Sequence, residues 1–91
     1  MSLRRFVNYI LLLTEQLVWA LVWEESKYDP FAVGSRGEVG LGQLMPATAT
    51  ALGVRDRTDI KESIEASVRH MAYLLKKYRS NARLALAAYN A

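Results

Sequence analysis

The strongest constraint on this chain is an apolar pattern with helical spacing near its N-terminus. The recurring side chains are Phe6, Val7, Ile10, Leu11, Leu17, Val18, Leu21 and Val22. The pattern predicts one long helix or two helices joined near Thr14. We favour two, because Thr14 can cap a second helix that has Glu15 in its first turn. That helix must end before Pro30, since the residue before a proline avoids helical angles. Glu25 and Ser26 are therefore predicted in its last turn.

The same segment has to be distinguished from a membrane span and from a secretory signal. Arg4 and Arg5 precede a first apolar run, residues 6–13, which contains Asn8, and a second run covers residues 17–23. Each run is shorter than the roughly 20 residues that cross a bilayer. No small-residue cleavage site follows the first run. We therefore expect a core helix here, with no stable membrane span and no signal peptide evident in this chain.

Glycine and proline divide the next part of the chain into a loop and a short helix. The loop covers residues 29–42 and contains four glycines, and it is also compatible with a short hairpin. Pro46 suits the first position of a helix that runs through Leu52, with Gly53 as its stop. We interpret the pair Met45-Pro46 as the geometry of this helix start.

The remaining residues predict two further helices. Asp59 followed by Glu62 three residues later resembles a capping box. The helix that it opens is expected to face the core with Ile60, Ile64, Val68, Met71, Leu75 and Tyr78. Ser80 or Asn81 is expected to cap a last helix over residues 82–91. The sequence thus predicts a mainly α, single domain over residues 1–91 with about five helices. Because the last helix has no stop signal, we expect this domain to continue beyond it.

Composition narrows the function classes. The 91 residues suffice for one small core, and 52% hydrophobic with 23% charged residues is an ordinary globular balance. The net charge of +3 suits an anionic partner without choosing one, and no run of five like charges indicates a nucleic-acid tail. The chain has no cysteine, which excludes disulfides and thiolate metal sites, and one histidine. We therefore expect no metal, no cofactor and no nucleic-acid partner.

Glu25 is the carboxylate best placed for chemistry. It ends an apolar helix, after Leu21, Val22 and Trp23, and precedes the glycine loop. A helix C-terminus carries partial negative charge, and apolar neighbours disfavour ionisation. Both effects raise the pKa of a carboxyl group, as a general acid near neutral pH requires. Most other acidic residues lie among Arg and Lys on predicted solvated faces; they are Asp56, Asp59, Glu62 and Glu65.

Four short motifs in fixed order carry a family resemblance. Glu25-Ser26 is followed by Tyr28 and Pro30. Residues 40–49 read G-L-G-Q-L-M-P-A-T-A, and residues 88–91 read A-Y-N-A. Over about residues 17–91 this pattern resembles the lytic transglycosylase domain of the soluble (SLT, family 1) type, related to goose-type lysozyme.

The resemblance implies a lysozyme-like fold and cleavage of the peptidoglycan β-1,4 bond between N-acetylmuramic acid and N-acetylglucosamine. Glu25 would be the catalytic acid, and Ser26 would steady it or touch the sugar. The other implied substrate-binding residues are Leu41, Gly42, Gln43, Tyr89 and Asn90. The implied location is the periplasm, the cell envelope or the extracellular space, or a phage tail.

Three functions remain open. In the first, Glu25 protonates the leaving oxygen, the sugar's N-acetyl group stabilises C1, and the same carboxylate then helps to close a 1,6-anhydro ring. In the second, water completes the reaction as in a lysozyme, and a second carboxylate positions it; the candidates are Asp29 and Glu38. We interpret Asp29 instead as a turn residue and Glu38 as a solvated loop charge. The third is a non-catalytic glycan-binding module.

Some positions depart from the family pattern. Gly42 stands where the family usually has Met, which is expected to open the groove or alter sugar preference. Ser67 occupies a position that is often Gly, and His70 one that is often Tyr. We interpret His70 as a helix residue that partly faces the core. Trp19 and Trp23 are one helical turn apart and are expected to pack in the core.

Overall fold

The computed structural model describes residues 2–90, except for the Ile10 side chain, and it is mainly helical. Its helices are α1 (Leu3–Ser26), α2 (Pro46–Ala51), α3 (Ile60–Lys77) and α4 (Ala82–Asn90). α3 packs against both α1 and α4, and residues 27–45 form the loop between α1 and α2. The prediction of a mainly α fold is confirmed, with four helices in the described residues where about five were expected.

α1 is one continuous helix, so the prediction of two helices joined near Thr14 was wrong. Thr14 is buried in the middle of α1, and no helix begins there. Neither glycine nor proline interrupts residues 3–26, and a threonine alone costs a helix too little to end it. The cap lies at Ser2, whose side chain accepts a hydrogen bond from the Arg5 N–H. The helix ends as predicted, after Glu25 and Ser26.

Only the C-terminal half of α1 belongs to the core. Val18, Leu21 and Val22 are buried, whereas Phe6, Val7, Leu11 and Leu12, which precede Thr14, are exposed. The expectation of a core helix was therefore wrong for the first half. By length and composition α1 could cross a membrane, but core helices and signal sequences pass the same test. The absence of a stable span stays a prediction.

Trp19 and Trp23 lie on the outside of α1, against expectation. They are 57% and 48% exposed, since they project from a different face of α1 than the one that carries Val18 and Val22 into the core. Both rings contact Tyr28, with ring centroids 6.1 and 5.4 Å apart. Helical spacing showed that the two indoles share a face, but not which face another helix covers.

The starts of the next two helices agree with the sequence. Pro46 lies in the first turn of α2, which ends at Ala51, one residue earlier than predicted. The Asp59 carboxylate accepts a hydrogen bond from the Glu62 N–H at 2.8 Å, so the predicted cap of α3 is confirmed. The Glu62 side chain accepts from the Arg55 N–H instead of returning to Asp59, so the capping box is half formed.

α3 supplies the centre of the core and α4 covers it. Of the side chains predicted to face inward, Met71 and Leu75 are fully buried, and Ile64, Val68 and Tyr78 pack at the edge of the core. Ile60 is 62% exposed because it is the first helical residue and lies beyond the packed part of α3. Asn81, rather than Ser80, caps α4 through its side-chain oxygen, which accepts from the Leu84 N–H. Ala91 lies outside the described residues.

The glycine loop contains only a minimal version of a hairpin. Two isolated antiparallel bridges join Val33 to Val39 and Val39 to Leu44, and residues 2–90 contain no longer strand. Leu44 belongs to a second small apolar cluster with Ala49 and Ala66. The loop is therefore anchored at its C-terminal end on α2 and α3, with its glycine segment free to face the end of α1.

Candidate active site

The end of α1, the glycine loop and the end of α4 meet in a cleft. Its lining residues are Glu25, Arg36, Glu38, Gln43, Met45, Tyr89 and Asn90. Four of the residues that the sequence singled out for the site therefore come together. They derive from three segments that are far apart in the chain, so their meeting depends on the packing of α3 between α1 and α4.

Glu25 is a half-buried carboxyl group at the C-terminal end of α1. Burial raises its pKa above the ordinary value, and the charges of Glu38 and Glu24 raise it further, while Arg36 opposes them. Within residues 2–90 no hydrogen bond or ion pair holds the Glu25 side chain. The carboxyl group thus keeps its proton to a higher pH than an exposed glutamate and can donate it to a ligand in the cleft.

Glu38 lies in the same cleft but has the opposite environment. One carboxylate oxygen accepts a hydrogen bond from the Arg36 N–H at 2.7 Å, and the other accepts from the Arg36 Nε at 3.3 Å. These contacts, the backbone N–H first, lower the Glu38 pKa. The side chain is only 14% exposed, so its interpretation as a solvated loop charge was wrong. A tight turn, with the Gly34 N–H donating to the Glu38 carbonyl, brings the side chain back over the loop.

Asp29, the other candidate for a second carboxylate, is a turn residue, as interpreted from the sequence. Its side chain accepts a hydrogen bond from the Phe31 N–H at 2.9 Å, which is the usual Asx-turn contact. Asp29 is exposed and is not one of the residues that line the cleft. Glu38 is consequently the only one of the two candidates that shares the cleft with Glu25.

Gln43 holds the loop together while it lines the cleft. Its side-chain Nε2 donates to the Ala32 carbonyl at 3.0 Å and to the Gly40 carbonyl at 2.9 Å. Both amide protons are therefore used inside the protein, and the Oε1 acceptor remains for a ligand hydroxyl or N–H. The backbone of Gln43 is left-handed, with φ of +50°. Such a conformation costs energy in a non-glycine residue and is typical of functional loops.

Tyr89 forms the wall of the cleft that α4 contributes. Its phenol donates a hydrogen bond to the Gly42 carbonyl at 2.9 Å and lies 3.2 Å from the Ser67 hydroxyl. Burial raises the Tyr89 pKa to about 12, with the Ser67 contact opposing and the charge of Glu25 adding to the rise. The phenol is therefore neutral at physiological pH. Its ring also contacts half-buried His70, whose pKa is lowered by burial.

Two of the residues implied by the resemblance keep their side chains out of the cleft. The Ser26 hydroxyl is buried and donates to the Val22 carbonyl at 2.9 Å, one turn back in α1. The Leu41 side chain is buried in the main core. A contact between Ser26 and the sugar stays a prediction, and so does a contact between the Leu41 backbone and the sugar. Asn90 is exposed at the rim of the cleft, beside Glu25.

Sequence reasoning did not identify Arg36 and Met45 as cleft residues. Met45 caps the start of α2 with its backbone, as interpreted, and its side chain also lines the cleft. Arg36 acts on both cleft carboxylates. A signal existed for Arg36, since an arginine and a glutamate two residues apart in a glycine-rich loop can pair across a tight turn. The long-range approach to Glu25 had no such local signal.

The family of this chain follows from a comparison with models of known protein families. The model of the transglycosylase SLT domain matches residues 11–91. The chain belongs to this family. In residues 2–90 no group of three or more His, Asp or Glu side chains could hold a metal ion.

Three relatives of this SLT domain carry the same name. The chain is 38% identical over 81 residues to a membrane-bound lytic murein transglycosylase F from Desulfosudis oleivorans, covering 82% of the chain and 18% of that protein. It is 34% identical over 93 residues to the protein of that name from Erwinia tasmaniensis, and the match covers 96% of the chain and 19% of that protein. It is 36% identical over 81 residues to the protein of that name from Aeromonas salmonicida, and the match covers 82% of the chain and 16% of that protein. The chain spans less than a fifth of the length of these relatives.

Proposed function

We propose that this SLT domain is a peptidoglycan lytic transglycosylase in which Glu25 is first the acid and then the base. The observation that carries the proposal is the contrast in the cleft. Glu25 has a raised pKa and an unengaged side chain, whereas both oxygens of Glu38 are held by Arg36. A cleft with one available carboxyl group suits a reaction that uses one group twice.

The reaction follows from that single group. The protonated Glu25 donates its proton to the glycosidic oxygen as the bond between this oxygen and C1 of N-acetylmuramic acid breaks. The N-acetyl carbonyl oxygen of the same sugar stabilises C1. The Glu25 carboxylate then takes the proton from the C6 hydroxyl as O6 bonds to C1, which closes the 1,6-anhydro ring and restores the acid. No water enters the products.

The hydrolytic alternative has one observation in its favour and one against it. Glu38 lies in the cleft, where a second carboxylate could position a water molecule. However, its two oxygens already accept hydrogen bonds from Arg36, which reduces their capacity to hold and deprotonate water. This engagement favours the transglycosylase over a lysozyme.

Product analysis tests the proposal. Purified peptidoglycan is digested with the 91-residue chain, and the released muropeptides are identified by mass spectrometry. Anhydro-muropeptides, lighter than the hydrolysis products by one water molecule, are expected from the wild type and not from Glu25→Gln. Reducing ends would show a lysozyme instead. Binding of peptidoglycan without any released product would show a glycan-binding module.

The proposed partner and location follow from this substrate class. Peptidoglycan glycan strands are the proposed partner, and the net charge of +3 suits their anionic character. We propose a location in the cell envelope, where that polymer lies. The relatives above are named membrane-bound, and fractionation of cells that produce the protein would test whether it is found with membranes.

A further inference from the structure

Ser67 is a buried polar side chain that does not line the cleft and yet contacts its wall. It lies on the face of α3 that packs into the protein and is fully buried. Its hydroxyl donates to the Ser63 carbonyl at 2.8 Å and lies 3.2 Å from the Tyr89 phenol oxygen. The contact with Tyr89 joins two residues that are 22 positions apart.

Gly42 makes this contact sterically possible. A Cβ atom at Gly42 would overlap the Ser67 Oγ and would lie 2.6 Å from the Tyr89 hydroxyl oxygen. The backbone of Gly42 is not left-handed, so the space, and not the backbone conformation, opposes a side chain there. The hydroxyl of Ser67 therefore occupies the volume that the first carbon of a side chain at position 42 would need.

The protons at this junction can be assigned. Because the Ser67 proton is directed to the Ser63 carbonyl, the Ser67 oxygen presents a lone pair to Tyr89. The phenol proton is then shared between the Gly42 carbonyl and the Ser67 oxygen. The phenol is thus held from two sides, by the glycine loop and by α3, and its proton is not directed at Glu25.

We propose that Ser67 is a positioning residue of the active site, which acts by holding Tyr89 in place beside Glu25. The inference rests on the proposed function, because a positioned wall matters only if the cleft binds a glycan. Tyr89 and Glu25 line the same cleft, and the charge of Glu25 adds to the rise in the Tyr89 pKa. A phenol with one contact instead of two can swing about its remaining hydrogen bond, which misplaces the wall against the scissile bond.

A double-mutant cycle tests whether Ser67 acts through Tyr89. Ser67→Ala is expected to lower kcat on peptidoglycan about fivefold, the loss of one hydrogen bond, and to weaken glycan binding by a smaller factor. Tyr89→Phe removes the hydroxyl that Ser67 contacts, so Ser67→Ala should have no further effect in that background. Equal effects of Ser67→Ala in both backgrounds would overturn the proposal, because a purely structural role does not depend on the Tyr89 hydroxyl.

Ser63→Ala is the matched control. Ser63 is one turn earlier on the same helix, equally buried, and within the described residues its hydroxyl has no hydrogen-bond partner. The variant is expected to leave kcat unchanged and to keep or slightly raise the thermal stability, since it removes an unsatisfied buried group. A loss of kcat equal to that of Ser67→Ala would show a general effect of the helix face and overturn the proposal.

A second cycle tests the geometry without activity. Gly42→Ala is expected to lower the melting temperature, and adding Ser67→Ala should recover part of that loss, since it removes the overlapping oxygen. Losses that simply add would contradict the proposed contact.

Binding of tri-N-acetylglucosamine by calorimetry separates the outcomes. A chain that binds the trisaccharide without cleaving peptidoglycan, with a non-additive Ser67/Tyr89 cycle in its affinity, refutes the proposed function and supports the positioning role. Cleavage of peptidoglycan with an additive Ser67/Tyr89 cycle supports the proposed function and refutes the positioning role. A chain that neither binds nor cleaves refutes both.

Discussion

The two walls of the cleft are built by different forces, and each presents one carboxylate. The helical wall, with Glu25, rests on a core of apolar side chains, among them Val22 and Leu75. The loop wall, with Glu38, has apolar anchors in Leu41 and Leu44, and hydrogen bonds to backbone carbonyls, such as those from Gln43 and Arg57, hold the rest of it.

This difference in construction explains the difference in proton affinity. Apolar packing removes water from Glu25 and supplies no donors, so its pKa is raised. The folded-back loop supplies a backbone N–H and a guanidinium to Glu38, so its pKa is lowered. Two carboxylates whose environments separate their pKa values are a recurrent arrangement in enzymes that use one of them as an acid. The proposed function assigns the proton transfer to Glu25 on the helical wall and a supporting role to the loop wall.

The largest expected effect comes from removing the two carboxylates in turn. Glu25→Gln should lower the rate of peptidoglycan cleavage by about 10²- to 10⁴-fold, since it removes the proton donor. Glu38→Gln should lower it less than about tenfold, because it changes only the field at the acid and the loop turn. Release of soluble muropeptides measures both. Equal losses would mean that Glu38 has a chemical role, as in a lysozyme.

The next effect separates stability from activity. Leu75→Ala should lower the free energy of unfolding by about 2–5 kcal/mol, because it leaves a cavity under the helical wall. Arg57→Ala removes donors to the Gly37 and Leu44 carbonyls and should cost about 1–2 kcal/mol.

Urea denaturation and initial rates below the melting temperature measure the two quantities. Per folded molecule, Arg57→Ala is expected to lose more activity than Leu75→Ala, since it loosens the loop wall. The reverse order would mean that the core, and not the loop, sets the precision of the cleft.

A smaller effect is expected on the pH dependence of cleavage. The acid must be protonated, so activity falls as the pH rises through the Glu25 pKa. Glu38→Gln removes a negative charge that raises this pKa, so the alkaline limb should move to lower pH. Arg36→Gln removes a positive charge that lowers it, so the limb should move to higher pH. Rate profiles for the two variants check the signs, and shifts in the same direction would contradict the arrangement of charges.

The smallest effect is on folding stability, and it again has opposite signs. The Glu25 pKa is raised in the folded protein, so stability is lost as the pH rises from the ordinary glutamate pKa to the raised one; Glu25→Gln should raise the melting temperature at pH 8 and not at pH 4. The Glu38 pKa is lowered, so its contribution is present at neutral pH and is lost in acid. Glu38→Gln should therefore lower the melting temperature at pH 8. Thermal scans at both pH values test the pair.

Much of the local structure could be predicted from the sequence. Pro30 correctly limited the end of α1, Pro46 the start of α2, and Asp59 the cap of α3. These helix ends and caps depend on interactions between residues within about four positions of each other, so the local sequence is enough to predict them. The placement of Glu25 at the end of an apolar helix followed from the same kind of signal.

What the sequence did not determine is which faces the fold covers. Phe6 and Trp19 have the same apolar character as Leu21, yet of the three only Leu21 is buried. The sequence suggested that Glu38 is a solvated charge, whereas in the structure its carboxylate accepts a hydrogen bond from the Arg36 N–H. No local pattern in the sequence indicated that Ser67 lies against Gly42. Burial and much of the electrostatic environment depend on elements that are distant in the chain, so only the tertiary structure decided that the pKa values of the two cleft carboxylates shift in opposite directions.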